Sequence, residues 1–226
     1  MAALHFFLVI GATLVLGWNT WCTQNECGDD WCSAGEILSI ANSMKENGML
    51  DAGYEYLNLD DCWGVRNAKT GHIEADPVRF PLGIKHVVDE AHRLGFKVGV
   101  YTDQGVNGCH HPFTGSWPYY YQDAKDFASW GIDYVKFDYC DPPDGFLPAN
   151  LTANMSNALR STGRSIWLNF HCNWLTFEDA RCGLYGNSFR IAPDHIDAWY
   201  STLKTSRALM QRKKWWGATG IPGLGY

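Results

Sequence analysis

The chain has 226 residues, 46% hydrophobic and 19% charged, which is ordinary composition for a folded domain and excludes a disordered chain. Its formal net charge of -6 and pI near 5.7 would repel a phosphate backbone, so a nucleic-acid platform is excluded and a neutral or small partner favoured. Aromatic residues make up 15% of the chain, with 11 Trp; most belong in a core, but such rings also stack on the apolar face of a sugar.

The opening stretch, MAALHFFLVIGATLVLG, is apolar and too short for a membrane span of about 20 residues. Residues 1–16 therefore read either as a signal-peptide segment or, from residue 12 to 18, as a first strand. A helical pattern follows at 34–48 and a strand, YEYLNL, at 54–59, ending on Asp60 and Asp61. A helix at 83–94 leads into the strand FKVGVY at 96–101, which ends on Thr102 and Asp103. Helix 119–130 precedes the strand IDYVKF at 132–137 and its terminal Asp138. Helix 150–161 precedes the strand SIWLNF at 165–170, which runs into His171, Cys172 and Asn173. Weaker strands are placed at 187–191 and 214–219, on either side of a helix at 195–213. This alternation predicts a parallel α/β fold. No glycine-rich phosphate cradle follows any strand, so a (β/α)8 barrel is preferred to a nucleotide-binding sheet. Six or seven strands are fewer than the eight of a barrel of about 250 residues, so the expectation is a barrel cut before its last units.

Eight cysteines without a CxxC pair favour disulfides and an oxidising compartment. Sequons at Asn150 and Asn154, in PANLTANMS, agree with glycosylation on a surface loop. The adjacent His110 and His111 lack a spaced partner and read as loop residues rather than zinc ligands.

In parallel α/β folds chemistry gathers at the carboxyl ends of strands, where the polar residues cluster here. Hydrolysis of a glycosidic bond needs two carboxyl groups. Asp138 ends a strand with Lys136 on the same face by alternation, and a cation there keeps a carboxylate ionised; Asp138 could equally cap a helix. The second carboxyl falls on FRIAPDHIDAW, where residue chemistry leaves Asp194 and Asp197 open, with Arg190 near both.

The segments GWNTW (17–21), DAGYEYLNLDDCW (51–63), DPVRFPLGIK (76–85), GFKVGVYTDQG (95–105), QDAKDFASWGIDYVKFDYC (122–140) and RIAPDHIDAW (190–199) resemble, in order, glycoside hydrolase family 27, the α-galactosidases and α-N-acetylgalactosaminidases. That resemblance implies a retaining exo-glycosidase acting on terminal α-linked galactose, with Asp138 as nucleophile and Asp194 as acid/base. It places Trp21 against the sugar, Asp60, Asp61, Tyr101 and Lys136 on its hydroxyls, and Arg190 at the 2-position. Retention of both Asp60 and Asp61 points to galactose. Disulfides Cys109–Cys140 and Cys172–Cys182 are implied, with Cys27–Cys62 and Cys22–Cys32 completing the set. In many animal members a Glu stands where this chain has Asn173; the amide can still meet the 2-hydroxyl.

The family's later WNDPD-type segment, last strand and C-terminal β-sandwich have no counterpart in these residues. The expected organisation is thus a signal or first-strand segment at 1–16 and a partial (β/α)8 catalytic domain at 17–226. No cofactor and no metal are called for. The expected partner is an α-galactoside-type carbohydrate, without nucleic acid or a stable membrane span, and a homodimer stays open. The destination is the secretory pathway, extracellular or lysosomal/vacuolar. Another pyranosidase activity within the family, or an inactive sugar-binding fragment, are the competing readings.

Overall fold

The computed structural model describes residues 15–21, 31–171, 184–190, 192–194 and 198–211. Cys22, Cys27, Cys172, Asn173, Cys182, Asp197, the strand at 214–219 and the apolar segment before residue 15 lie outside them.

Six strands form one parallel sheet: β1 (Leu16–Asn19), β2 (Tyr54–Leu59), β5 (Lys97–Asp103), β6 (Tyr134–Asp138), β7 (Trp167–Phe170) and β8 (Ser188–Phe189), adjacent in that order. The first and last strands of the sheet lie at opposite edges, so the architecture is a half-barrel of βα units. Helices α1 (Ala34–Glu46), α2 (Gly83–Leu94), α3 (Tyr120–Trp130), α4 (Pro148–Ser161) and α5 (Trp199–Gln211) alternate with the strands. A short antiparallel hairpin, β3 (Gly64–Arg66) with β4 (Ile73–Ala75), interrupts the alternation after β2.

Local chemistry fixes the helix ends. The Ser33 hydroxyl accepts from the Glu36 amide and donates to the Glu36 carboxylate at 2.6 Å, closing the first turn of α1. α2 and α3 end on Gly95 and Gly131 at φ 105° and 84°, a left-handed turn that glycine adopts without strain. The strands are buried almost without a break, as β5 is from Val98 to Asp103, which is the pattern of a parallel sheet covered on both faces. Ile37, Val87, Val88, Val98, Phe127, Val135, Phe137 and Leu151 are wholly buried in the resulting core.

Two expectations change. The Asn150 and Asn154 sequons stand on the exposed side of α4 rather than on a loop, one turn apart, with Thr152 and Ser156 buried beneath them. Cys62 is bonded to Cys32 instead of Cys27, which also removes the Cys22–Cys32 pair. Cys32 lies just before α1 and Cys62 just after β2, and both are buried. Among the described residues, no helix is long and apolar enough to cross a membrane.

Candidate active site

The strand ends put their polar residues on one rim. β6 ends on Asp138, in register with Asp103 at the end of β5, and Lys136 pairs with Tyr101 one step back. Alternation sends Lys136 and Asp138 to the same face. A cavity of about 310 Å³ opens there, lined by Trp21, Asp60, Tyr101, Lys136, Asp138, Arg190 and Asp194 together with Cys109, His110, Cys140 and His171.

Lys136 is the hub. Its Nζ donates to Asp60 Oδ2 at 2.8 Å and stands 3.7 Å from Asp138 Oδ2, with the Tyr101 ring 5.1 Å below. Burial works against its charge, but Asp60 and Asp138 outweigh burial and raise its pKa above the ordinary lysine value. Asp60 is positioned from behind by its own amide, which donates to the Thr20 hydroxyl at 2.8 Å.

Asp138 receives the Tyr139 amide on Oδ1 at 3.0 Å, and His171 Nδ1 stands 3.0 Å from the same oxygen. Arg190 spans the second gap: Nη1 lies 3.9 Å from Asp138 Oδ1 and Nη2 donates to Asp194 Oδ1 at 2.8 Å, while Nε is tied to the Ala192 carbonyl at 2.8 Å. Burial alone would raise the Asp138 carboxyl; the His171 hydrogen bond, then the charges of Lys136 and Arg190, overcome it and hold the pKa at about 2. Asp194 differs in setting, its side chain 49% exposed against 4% for Asp138. The rim thus holds one buried, ionised carboxylate and one open carboxyl, bridged by a single guanidinium.

The loop from Gln104 to Trp117 makes the cavity wall. The Cys109–Cys140 disulfide joins it to the end of β6, the pair the family resemblance implies. Asp103 binds the two loops from beneath, accepting the amides of Gly105, Cys140 and Asp141 at 2.9, 2.8 and 3.3 Å. Its carboxyl is wholly buried, and burial lifts the pKa to about 6 against the pull of those amides. Gly105 sits so close to the Asp141 carbonyl that a Cβ there would collide with it. The Tyr101 hydroxyl accepts the Cys109 amide at 3.1 Å, and burial with the neighbouring carboxylates raises its pKa.

Asp61, expected beside Asp60 on the substrate, turns into this loop instead. Its Oδ2 accepts the His110 and His111 amides at 2.7 and 3.3 Å, and Oδ1 accepts the Thr114 hydroxyl at 3.0 Å. It is absent from the cavity lining because β2 ends at Leu59 and the turn that begins at Asp61 points its carboxylate into the 110–114 loop. Two cavity residues carry no role in the sequence reading. His110 sets its ring 4.7 Å from that of Trp21, and His171 contacts Asp138. His171 directly follows β7 as Asp138 closes β6, and that shared place at a strand end was the signal for it.

A parallel half-barrel of βα units, with two carboxyl groups, a lysine and an arginine gathered at the carboxyl ends of its strands, is the architecture of part of a (β/α) barrel. The chain belongs to the α-galactosidase family: the family model described as alpha galactosidase A matches residues 13–218. A probable α-galactosidase of Dictyostelium discoideum is 40% identical over 204 residues, which are 88% of this chain and 50% of that protein. Among solved structures, α-galactosidase I from Mortierella vinacea superposes with a TM-score of 0.71 at 33% identity, over 84% of this chain and 48% of that one. The α-galactosidase from Saccharomyces cerevisiae, solved with raffinose, gives 0.72 at 32% identity over 83% and 41%. The chain therefore spans about half the length of the curated relatives it matches.

Proposed function

We propose that the site serves a retaining exo-glycosidase that removes terminal α-linked galactose from oligosaccharides or glycoconjugates. The observation that carries this reading is the Arg190 bridge between two carboxyl groups of opposite setting, one buried and ionised and one open to solvent. Double displacement needs that division of labour. Asp138 attacks C1 of the sugar as the C1–O bond breaks, its electron pair passing to the leaving oxygen, which takes the proton of Asp194. Water then attacks C1, gives its proton to Asp194 and frees the Asp138 carboxylate, so the anomeric configuration is retained.

A cavity of about 310 Å³ stands at the small end of the ~300–1,000 Å³ range of ligand pockets, which suits a single terminal ring. Asp60 and Lys136 offer an acceptor and a donor to its hydroxyls, and the Trp21–His110 wall offers a stacking face. The raffinose bound by the yeast relative carries a terminal α-linked galactose and fits the same assignment. The family resemblance assigns the 2-hydroxyl to Arg190 and to Asn173, which lies outside the described residues. Disulfides Cys32–Cys62 and Cys109–Cys140 suit the secretory pathway, with an extracellular or lysosomal/vacuolar destination.

The test is release of nitrophenol from p-nitrophenyl α-galactoside, with the configuration of the first-formed galactose followed by proton NMR. The α-anomer from the parent, and a loss on the order of 10⁴-fold in Asp138→Ala, are the expected results. A parent without turnover, a β-galactose product or undiminished Asp138→Ala overturns the reading.

A further inference from the structure

The two oxygens of Asp138 are not equivalent. Oδ1 meets the Tyr139 amide and His171 Nδ1, each at 3.0 Å, and Arg190 Nη1 at 3.9 Å. Oδ2 meets only Lys136 Nζ at 3.7 Å and the Cys109 sulfur at 3.4 Å among the described residues, and a disulfide sulfur has no proton to give. One oxygen is saturated with donors; the other keeps its lone pairs. His171 is itself tightly placed: its amide donates to the Phe137 carbonyl at 2.9 Å, and its carbonyl accepts Gln104 Nε2 at 2.6 Å. The Tyr139 ring stands edge-on to the imidazole at 6.0 Å. Its Nε2 is buried without a partner among the described residues. A bare nitrogen lone pair in that place costs less than an orphaned N–H, so the proton belongs on Nδ1, facing Asp138.

We propose that His171 is a positioning residue for the nucleophile, holding Oδ1 through an Nδ1–H donor so that Oδ2 is the atom that forms the bond to C1. This rests on the retaining mechanism above for the identity of the reaction, but the imidazole geometry stands apart from it. In the attacking step Oδ2 supplies the electron pair, and the leaving oxygen takes the displaced pair and Asp194's proton; His171 transfers nothing. Its part is to stop the carboxylate from rotating, and a reacting atom misplaced by about 1 Å costs on the order of 10²-fold in rate.

The decisive experiment is a long-range ¹H–¹⁵N NMR spectrum of the full chain labelled at histidine, with His171→Asn used to assign the resonance. A proton on Nδ1, moving upfield in Asp138→Ala, is the expected result. A His171 ring protonated on Nε2 alone overturns the proposal whether or not the chain turns over substrate. With aryl α-galactoside, His171→Leu should lower kcat on the order of 10²-fold with KM little changed. His171→Asn, whose amide N–H takes the place of Nδ1–H, should recover most of that loss. An intact kcat in His171→Leu, or equal losses in the two variants, also overturns it. A parent without turnover defeats the proposed function and leaves the NMR result to decide His171.

Discussion

β5 and β6 end side by side on the same residue type, Asp103 and Asp138, paired in register and both buried. Their chemistry has gone opposite ways. Asp103 is enclosed by loop amides with no cation beside it among the described residues, so burial dominates and its carboxyl rises to about 6. Asp138 faces the cavity with His171, Lys136 and Arg190 around it, and falls to about 2. Burial penalises both; the charged neighbours decide the sign. A strand-end aspartate is thus held towards its neutral form when its partners are amides alone, and ionised when cations stand beside it.

The sharpest way to break this contrast is to exchange the losses. Asp138→Asn should abolish turnover, on the order of 10⁴-fold, while far-ultraviolet circular dichroism keeps the parent's spectrum. Asp103→Ala should act first on stability, since three loop amides lose their acceptor, the buried Gly105 amide alone at about 1–3 kcal/mol; urea denaturation would measure it.

pH separates the pair further. The raised pKa of Asp103 means that the unfolded chain releases its proton first, so this group's contribution falls as pH climbs from the ordinary carboxylate value to about 6. The shift is worth roughly 3 kcal/mol. The cost of Asp103→Ala should therefore be larger near pH 4 than near pH 7. Asp138 has the reverse sign: its contribution is present above the ordinary carboxylate value and disappears as pH falls towards about 2. Flat denaturation midpoints from pH 4 to 7 in both parent and Asp103→Ala would contradict the assignment for Asp103. The smallest effect belongs to the far end of the sheet, where Lys97 and Glu55 pair at 2.7 Å in partly exposed positions. Glu55→Gln should change stability by under about 1 kcal/mol and leave activity untouched.

The main strands and helices were legible because each is long enough to show a period, and their ends put Asp60, Asp138 and Arg190 where the rim lies. The β3–β4 hairpin was not, since three-residue strands give no pattern to read. The direction of Asp61 depends on the loop that folds back over it, and the Cys32–Cys62 bond on where the chain before α1 meets the chain after β2; neither is written in spacing. Asp103 read as one more polar strand end, with Tyr101 rather than a cation two residues before it. The difference lies in Lys136 two residues before Asp138, and in Arg190 and His171 brought from distant strands.

The most direct measurement is to trap the nucleophile. A fluorinated galactosyl fluoride slows hydrolysis of the glycosyl-enzyme, and peptide mass spectrometry then locates the attached sugar. A single fluorogalactosyl mass on the peptide containing Asp138, absent in Asp138→Asn and still present in Asp103→Ala, is the predicted result. Labelling of Asp103 or of Asp194, or none in a chain that cleaves the α-galactoside, would contradict it.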